Sequence, residues 1–535
     1  MPITQVILEN FKGVAECVAI PLRPITLLFG ANSAGKSTIL QGMLYLRELL
    51  EHRNADADRL HNSGETIDLG GFLKLVHGHD PKRLVRVGVT VTVDDDGLNT
   101  YGRAPYDDDE DYVSSWDRQL PLSGIHEVTV MVTVQWDATD RRAHFQTYEV
   151  EVNGSPIGKI HEPLWDHPED RQRMATLSIN EDHPIFQQVF GVRERDENSR
   201  PVRRDQRDET IAVQLGYLDG ISYSTRMVLP NIAQGQPLRL WEAATSCSAE
   251  LSTQDAEELF SHIMVGAGQR VLEELQSIRY IGPIRVVPDH FFRPVLSPME
   301  SRWADGSAAW DVLHKCEDDL AWFHQEHLAM LELGYEIEMH TLYEIDRRSD
   351  LGRALWDSSR PASPGLRAQK LGSAQVKAGL RERRRLRITS NGNGLEVAPT
   401  EVGVGVSQLL PVVVGAMAPG YHLLAVEQPE LHVHPAVQCR LADVLALQVV
   451  GRERILLLET HSEHLMLRLL RRVRETAAGQ RAGEKLQLKP EDLSVLYISN
   501  QAGSMRVLEL PVNEDGDFDK PWPKGFFEER AEELF

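Results

Sequence analysis

The sequence predicts an α/β fold, and three observations carry the prediction. A buried apolar strand runs into a glycine-rich turn and out into an amphipathic helix near the start; the last third again alternates apolar strands with helices; and the stretch between opens with strands that alternate in polarity. Ile3–Leu8 is apolar and β-prone, and after a turn at Lys12-Gly13 the run Ile25–Phe29 reads as a buried strand. From Thr38 to Leu50, the residues Ile39, Leu40, Met43, Leu44, Leu46 and Leu50 recur at three- and four-residue spacing, as a core-facing helix requires. Leu84–Val93, Glu127–Val134 and Phe145–Val152 alternate apolar with polar residues and read as antiparallel strands with one wet face, a β-rich lobe. Helical patterns return at Gln254–Ile278 and Ala308–Leu333. The acidic runs Asp94–Asp96 and Asp107–Asp111 read as exposed loops, because the ordered ligand spacing of a calcium loop is missing.

With 535 residues, 41% hydrophobic and 26% charged, the chain is ordinary globular material, which excludes collagen-like and wholly disordered classes. The longest apolar stretch, near Pro411–Ala418, is far short of the roughly 18 residues needed to span a bilayer, and the first residues lack a charged-then-apolar signal pattern. The expectation is a soluble, cytoplasmic protein with no membrane partner. Lys plus Arg number 57 and Asp plus Glu 80, a net charge of −23, so a polyanion would be repelled unless basic residues concentrate locally. Cys17, Cys247, Cys316 and Cys439 are scattered without CxxC spacing, which fits neither a zinc site nor a disulfide framework.

The chemistry begins at Gly30-Ala31-Asn32-Ser33-Ala34-Gly35-Lys36-Ser37, a GxxxxGK[ST] motif set between a predicted strand and a predicted helix. Gly30 and Gly35 let the backbone curl so that successive N–H groups face a phosphate, and the helix that follows, starting at Lys36-Ser37-Thr38, adds positive potential there. Lys36 is assigned to the β- and γ-phosphates and the Ser37 hydroxyl to Mg²⁺; the implied cofactors are ATP and Mg²⁺. Such a loop needs a metal-orienting carboxylate at a neighbouring strand end, and Tyr421–Val426 is an apolar strand that ends in Glu427. A second apolar strand, Ile455–Glu459, is followed by Thr460-His461-Ser462, which puts His461 where it can sense a γ-phosphate. His432, His434, His461 and His464, with Glu427 or Glu459, also invite a zinc reading, although the family resemblance given next implies that His434-Pro435 belongs to the turn after the Glu427 strand and His461 to a switch position.

These motifs, in this order and spacing, resemble an ABC-type ATPase head of the SMC-like and OLD-like branch of AAA-family P-loop ATPases. The matching residues are Asn10-Phe11-Lys12-Gly13, the phosphate loop with Asn32, Gly403-Val404-Gly405-Val406-Ser407-Gln408, Glu427–Pro435 and Thr460-His461-Ser462. Tyr280–Arg285 and Trp522–Glu529 further resemble a bacterial subgroup with a C-terminal domain of unknown function. The resemblance covers residues 1–80 and 400–535 firmly and the middle only weakly. It implies an ABC-type head with a β-rich lobe and an inserted helical subdomain, divided as 1–160 (ATPase lobe I), 161–395 (mixed or helical insert) and 396–535 (ATPase lobe II). It implies a composite site in which Gly405 and Ser407 of one subunit close on ATP held by another, giving a homodimer or higher homo-oligomer, and it carries Asn10 and Lys12 over as nucleotide contacts. It also exposes a departure: where many relatives carry a second acid after the Walker B residue, this chain has Gln428. A glutamine orients water but cannot take its proton, so hydrolysis is expected to be slow, with Glu430 as a substitute base. The alternative is an ATP-locked scaffold with negligible turnover and no direct nucleic-acid contact.

Arg347–Arg387 holds twelve Lys and Arg against Asp350, Asp357 and Glu382. That stripe would neutralise several DNA or RNA phosphates, and it serves equally well as a solvated helical face paired with acidic loops. From Ser37 to Ser407 the motifs are separated by an insert without long heptads, against a long-armed chromosome-type ATPase. Beyond His461 too little chain remains for a separate nuclease domain, so a nuclease activity is expected in a separate effector protein. Relatives of this kind recur in genome maintenance and anti-phage defence, which makes defence or DNA repair the implied setting.

Overall fold

The computed structural model describes residues 3–56, 59–62, 65–93, 97–98, 124–162, 174–180, 182–186, 210–214, 228–240, 253–288, 294–295, 300–315, 329–349, 381–397, 399–479 and 486–523. The acidic loops at 94–96 and 107–111, Cys247, Cys316 and the basic residues from 353 to 377 lie outside them.

Two large sheets organise the chain. The site sheet has six strands: β1 (Ile25–Gly30), β2 (Ile278–Ile281), β3 (Leu423–Glu427), β4 (Ile455–Glu459), β5 (Leu493–Gln501) and β6 (Ser504–Glu509). Their order across the sheet is β2-β3-β4-β1-β5-β6, with every pair parallel except β5 and β6. Parallel strands need both faces covered, and the side chains divide by the two-residue period. Leu28, Leu423, Ala425, Ile455, Leu457, Leu496 and Ile498 enter one core, whereas Ile25, Leu27, Phe29, Leu424, Val426, Leu456, Leu458, Leu493 and Val495 enter the other. This is why these strands read as continuous apolar runs. The first core is closed by helix α1 (Lys36–His52), the second by α2 (Val404–Met417), α3 (Pro435–Ala446) and α4 (Glu463–Ala477).

A nine-stranded sheet, antiparallel throughout, lies beyond α1 and includes Ile3–Glu9, Val18–Pro21, Val85–Thr92, Glu127–Asp137, Arg142–Val152 and Ser155–His161. α1 packs so tightly on its Ile3–Glu9 strand that a Cβ on Gly42 would fall 2.4 Å from Leu8 Cδ2. The β-rich lobe predicted from alternation is this sheet. It continues with Met174–Ile179, Thr210–Gln214 and Arg239–Leu240, so the interval 161–395 supplies strands to the first lobe as well as helices.

One predicted helix differs in detail. The pattern at Gln254–Ile278 becomes Thr253–Phe260, a π-helical turn at Ser261–Val265 and Gly266–Gln276, and Ile278 already belongs to β2. Of Ala308–Leu333, Ser307–Lys315 and Ala329–Leu331 are helical, and residues 316–328 lie outside the described residues. The basic end of the Arg347–Arg387 stripe is a strand and not a helical face: Arg381–Ser390 pairs antiparallel with Tyr335–Glu344 over ten residue pairs. Its Leu386, Ile388 and Ser390 recur at two-residue spacing, and buried Ile388 and Ile337 sit directly opposite each other. Among the described residues no helix is long and apolar enough to cross a membrane.

Candidate functional site

The site is built where the parallel strands end. Gly30 closes β1 with φ 147°, and a Cβ there would lie 2.1 Å from the Ile498 carbonyl oxygen of β5, so only glycine fits between the loop and its neighbouring strand. Gly35 caps α1 in the left-handed region at φ 102°. Between them Ala31, Asn32 and Ser33 are exposed and Ala34 is buried, which leaves the outer part of the loop open to a ligand. Thr38 is buried in the first turn of α1, its N–H donating to Gly35 O at 3.0 Å.

Lys36 is 4% exposed and folds back over the loop, Nζ donating to Gly30 O and Ala31 O at 3.1 Å each. Its charge partner is Glu459 at the end of β4, with Nζ 3.5 Å from Oε1, and the Ser37 hydroxyl donates to Oε2 of the same carboxylate at 2.8 Å. From sequence Glu459 enters only as an alternative fourth ligand in the zinc reading, not as part of the phosphate site. β4 lies between β1 and β3, which brings Glu459 level with Glu427 and beside the phosphate loop. The sequence signal for it was an acid ending an apolar strand directly before Thr460-His461.

Glu427 accepts the Tyr280 hydroxyl at 3.0 Å. Burial, and after it the nearby charge of Glu459, push its carboxyl above the ordinary range, while the Tyr280 and Ser37 hydroxyls and Lys36 partly counter that. Two facing carboxylates beside a hydroxyl form an all-oxygen donor set suited to Mg²⁺, and the mutual repulsion felt by Glu427 is what a divalent cation would relieve. The residues therefore fit the metal that a phosphate loop requires.

The turn after β3 is fixed at several points. Gln428 takes φ 47° and donates its N–H to Glu459 O at 2.7 Å. Glu430 Oε1 accepts the His461 backbone N–H at 2.7 Å, and its Oε2 is buried without a hydrogen-bond partner among the described residues. His461 stands just past β4; burial, and then the positive charge of Lys36, hold its imidazole below the usual pKa and favour the neutral ring. His434 serves as N-cap of α3, its Nδ1 accepting from Ala436 N at 3.2 Å with Pro435 next in line. Among the described residues no group of three or more His, Cys, Asp or Glu is arranged to hold a metal.

The signature segment opens α2. A Cβ on Gly405 would lie 2.5 Å from the His432 carbonyl oxygen, so this glycine lets the helix start pack against the turn after β3. Ser407 is 2% exposed and its hydroxyl donates to Val404 O at 3.0 Å. Asn10 and Lys12 sit on the other side. Lys12 Nζ donates to Gln41 of α1 at 2.7 Å, while the Asn10 amide donates to Leu84 O and accepts from Arg83, both at 2.9 Å. The segment Val76–Gly78 adjoins them, His77 N–H donating to Asn10 O at 2.8 Å. At the C-terminal end, Trp522 packs edge-on to Phe29 of β1, 5.5 Å between ring centroids.

A glycine cradle at the end of a parallel strand, a lysine and a serine directly after it, and carboxylates on the adjacent strand ends define a P-loop nucleotide-binding protein. Sequence comparison specifies the class further. Residues 1–79 match the family model described as "AAA ATPase domain", residues 252–467 that described as "AAA domain, putative AbiEii toxin, Type IV TA system", and residues 488–535 that described as "Protein of unknown function (DUF3696)". Two stretches of the chain thus match AAA-type domain models, one of them holding the phosphate loop, and a third matches the domain of unknown function at the C-terminal end. No curated protein matches it. Among solved structures it is similar to an SMC head bound to the C-winged helix domain of ScpA, at 12% identity, 96% of this chain and 98% of that one covered, and TM-score 0.37. The SMC head domain from Thermotoga maritima is similar at 9% identity, with 96% and 100% covered and TM-score 0.36. At this level of similarity neither relative informs what the chain binds.

Proposed function

We propose that the chain binds ATP with Mg²⁺ at the phosphate loop, hydrolyses it slowly, and uses ATP-dependent head-to-head assembly to control a separate effector in nucleic-acid-related bacterial defence or DNA repair. The observation that carries the ATP site is the convergence of Lys36 and Ser37 on Glu459, level with Glu427. In this reading Gly30–Gly35 present backbone N–H groups to the phosphates, Lys36 turns from Gly30 O and Ala31 O to the β- and γ-phosphates, and Ser37 with Glu427 holds the metal, Glu459 behind it. Bound Mg²⁺ supplies charge neutralisation at the phosphates. Gln428 orients water, Glu430 is the available base, and neutral His461 offers a hydrogen bond to the γ-phosphate.

Ser407 and Gly405 serve the partner copy's ATP; Ser407 must then release Val404 O, and Gly403 and Val404, both exposed, form the leading edge. The defence setting is supported by the family description that names a type IV toxin–antitoxin toxin. Contact with DNA or RNA is supported by the basic strand Arg381–Ser390 and by Arg347 and Arg348 beyond its partner strand. The division into 1–160, 161–395 and 396–535 remains a functional one, since strands from the second interval join the sheet of the first. The other reading, an ATP-locked scaffold, is favoured by Gln428 alone. Lys36→Ala tests the site: the reading predicts loss of ATP binding, and ordinary affinity in that variant would overturn it.

A further inference from the structure

Arg285 has no part in the site as derived so far, yet it is 2% exposed and lies between the two motifs that a composite ATP site must coordinate. Its backbone N–H donates to Gln408 Oε1 at 3.2 Å, and Gln408 Nε2 donates back to Arg285 O at 2.7 Å. The guanidinium then spans outward: Nη1 donates to Gln408 O at 3.2 Å, and Nη2 donates to Glu427 O at 2.7 Å and Gln428 O at 3.2 Å. One side chain therefore ties the residue after Ser407 to the backbone of the metal-orienting acid and of the water-orienting glutamine.

Arg285 is an expensive choice for that place. Burial pulls its pKa down to about 10 despite the countervailing charges of Glu430, Tyr280 and Glu427, and its Nε is buried without a hydrogen-bond partner among the described residues. Glu430 Oε2 is unsatisfied in the same way. A purely structural tie would be cheaper in neutral groups, because buried polar atoms left unpaired cost stability. Unsatisfied atoms on an arginine and on the candidate base suit an arrangement that completes its bonds in another state.

The segment also has an outer side. Ile284 is 82% and Val286 44% exposed, so Arg285 points inward between two apolar residues in solvent, and Val404, four residues before Gln408 on the same side of α2, is 59% exposed. The inner side of the segment is braced: Val286 N–H donates to Asp305 O at 2.7 Å, Trp310 Nε1 to Val286 O at 3.1 Å, and a Cβ on Gly306 would lie 3.2 Å from Arg285 Cβ.

We infer that Arg285 is a positioning residue that couples the signature end of α2 to the Glu427–Gln428 turn, so that a second copy of the chain closing on Ile284, Val286 and Val404 sets the turnover geometry of the neighbouring phosphate-loop site. The inference rests on the ATPase reading above and adds a route by which one composite site reports its occupancy to the other. Lysine cannot replace the arginine, because a single ammonium lacks the planar fork that reaches Gln408 O and the two turn carbonyls together.

The test measures ATP binding with a fluorescent ATP analogue and steady-state turnover for the full-length wild type, R285K, Q408E, I284S and the R285K/I284S double variant. R285K is expected to lower kcat by about tenfold with KM and analogue affinity unchanged, and to remove the dependence of turnover on protein concentration. I284S, a surface change, is expected to lower kcat likewise, and the double variant to be no slower than the slower single one, since both interrupt one path. Should R285K fail to fold, Q408E interrupts the same link by removing the donor to Arg285 O, and the same outcomes apply. Wild-type kcat in R285K, affinity falling in step with kcat, or multiplicative effects in the double variant would overturn the coupling while leaving the ATPase reading intact. A wild type that binds no ATP would overturn both.

Discussion

Replacing Gln428 by Glu tests whether a missing base limits hydrolysis. The backbone at this position is held from both directions, N–H on Glu459 O at 2.7 Å and C=O on Arg285 Nη2 at 3.2 Å, so the exchange of an amide for an isosteric carboxylate leaves the turn in place. General-base catalysis is worth on the order of 10²–10⁴-fold. Against that gain stands a third negative charge beside Glu427 and Glu459, and Glu427 is already pushed upward by its neighbour. A loss of about 1.4 kcal/mol to that repulsion would remove one factor of ten. The net expectation is a roughly 10- to 1000-fold faster chemical step, or about 1.4–4.1 kcal/mol off the barrier. Single-turnover hydrolysis of Mg²⁺-ATP, with enzyme in excess so that product release does not mask chemistry, is the appropriate assay. An unchanged or slower single-turnover rate at equal ATP occupancy would refute the reasoning and move the base role to Glu430.

Three further outcomes are expected. Lys36→Ala removes a buried ammonium whose charge-assisted bonds are worth about 1.5–3 kcal/mol each, so two phosphate contacts predict a loss of ATP affinity of order 10²–10³-fold or more, read by equilibrium titration. Gly30→Ala places a Cβ 2.1 Å from Ile498 O; that overlap is expected to cost about 3 kcal/mol, visible as a lowered unfolding temperature. Asp443 on α3 is desolvated, which alone would raise its pKa, but hydrogen bonds from Arg472 at 2.8 Å and Arg468 at 2.7 Å outweigh that and hold it below the ordinary carboxylate range. A depressed carboxylate contributes stability that is full above its unfolded pKa of about 3.9 and is lost as pH falls through the lower folded value. Asp443→Asn should therefore destabilise the chain by about 3 kcal/mol at neutral pH, and the difference from wild type should shrink on acidification below that unfolded value; a constant difference in denaturation midpoint across that window would contradict the assignment.

The phosphate loop was legible because its geometry demands particular residue types: glycine at Gly30 and Gly35 for backbone reasons, lysine and serine for the phosphate and metal. The core strands were legible as well, since burial on both faces writes uninterrupted apolar runs such as Leu423–Val426 and Ile455–Leu458. What could not be read locally depends on which strands become neighbours. Glu459 enters the site only because β4 lies between β1 and β3, and Arg285 reaches Glu427 and Gln428 across 142 and 143 residues of chain. Strand order and long-range pairing are set by packing of the whole domain, which no window of sequence contains. The basic stretch ending at Arg387 misled in another way: charge density suggested a helical face, whereas the two-residue recurrence of Leu386, Ile388 and Ser390 was the physical cue for a strand.

The central claim is that ATP at the phosphate loop joins copies of this chain and turns over slowly. The most direct measurement is the solution mass of the purified protein, with its ATP turnover, in the presence and absence of ATP and Mg²⁺ and with double-stranded DNA at low and moderate salt. The account predicts an ATP-dependent rise in mass, slow hydrolysis, and both lost in Lys36→Ala. A mass indifferent to ATP, in a protein that nonetheless binds it, would contradict it.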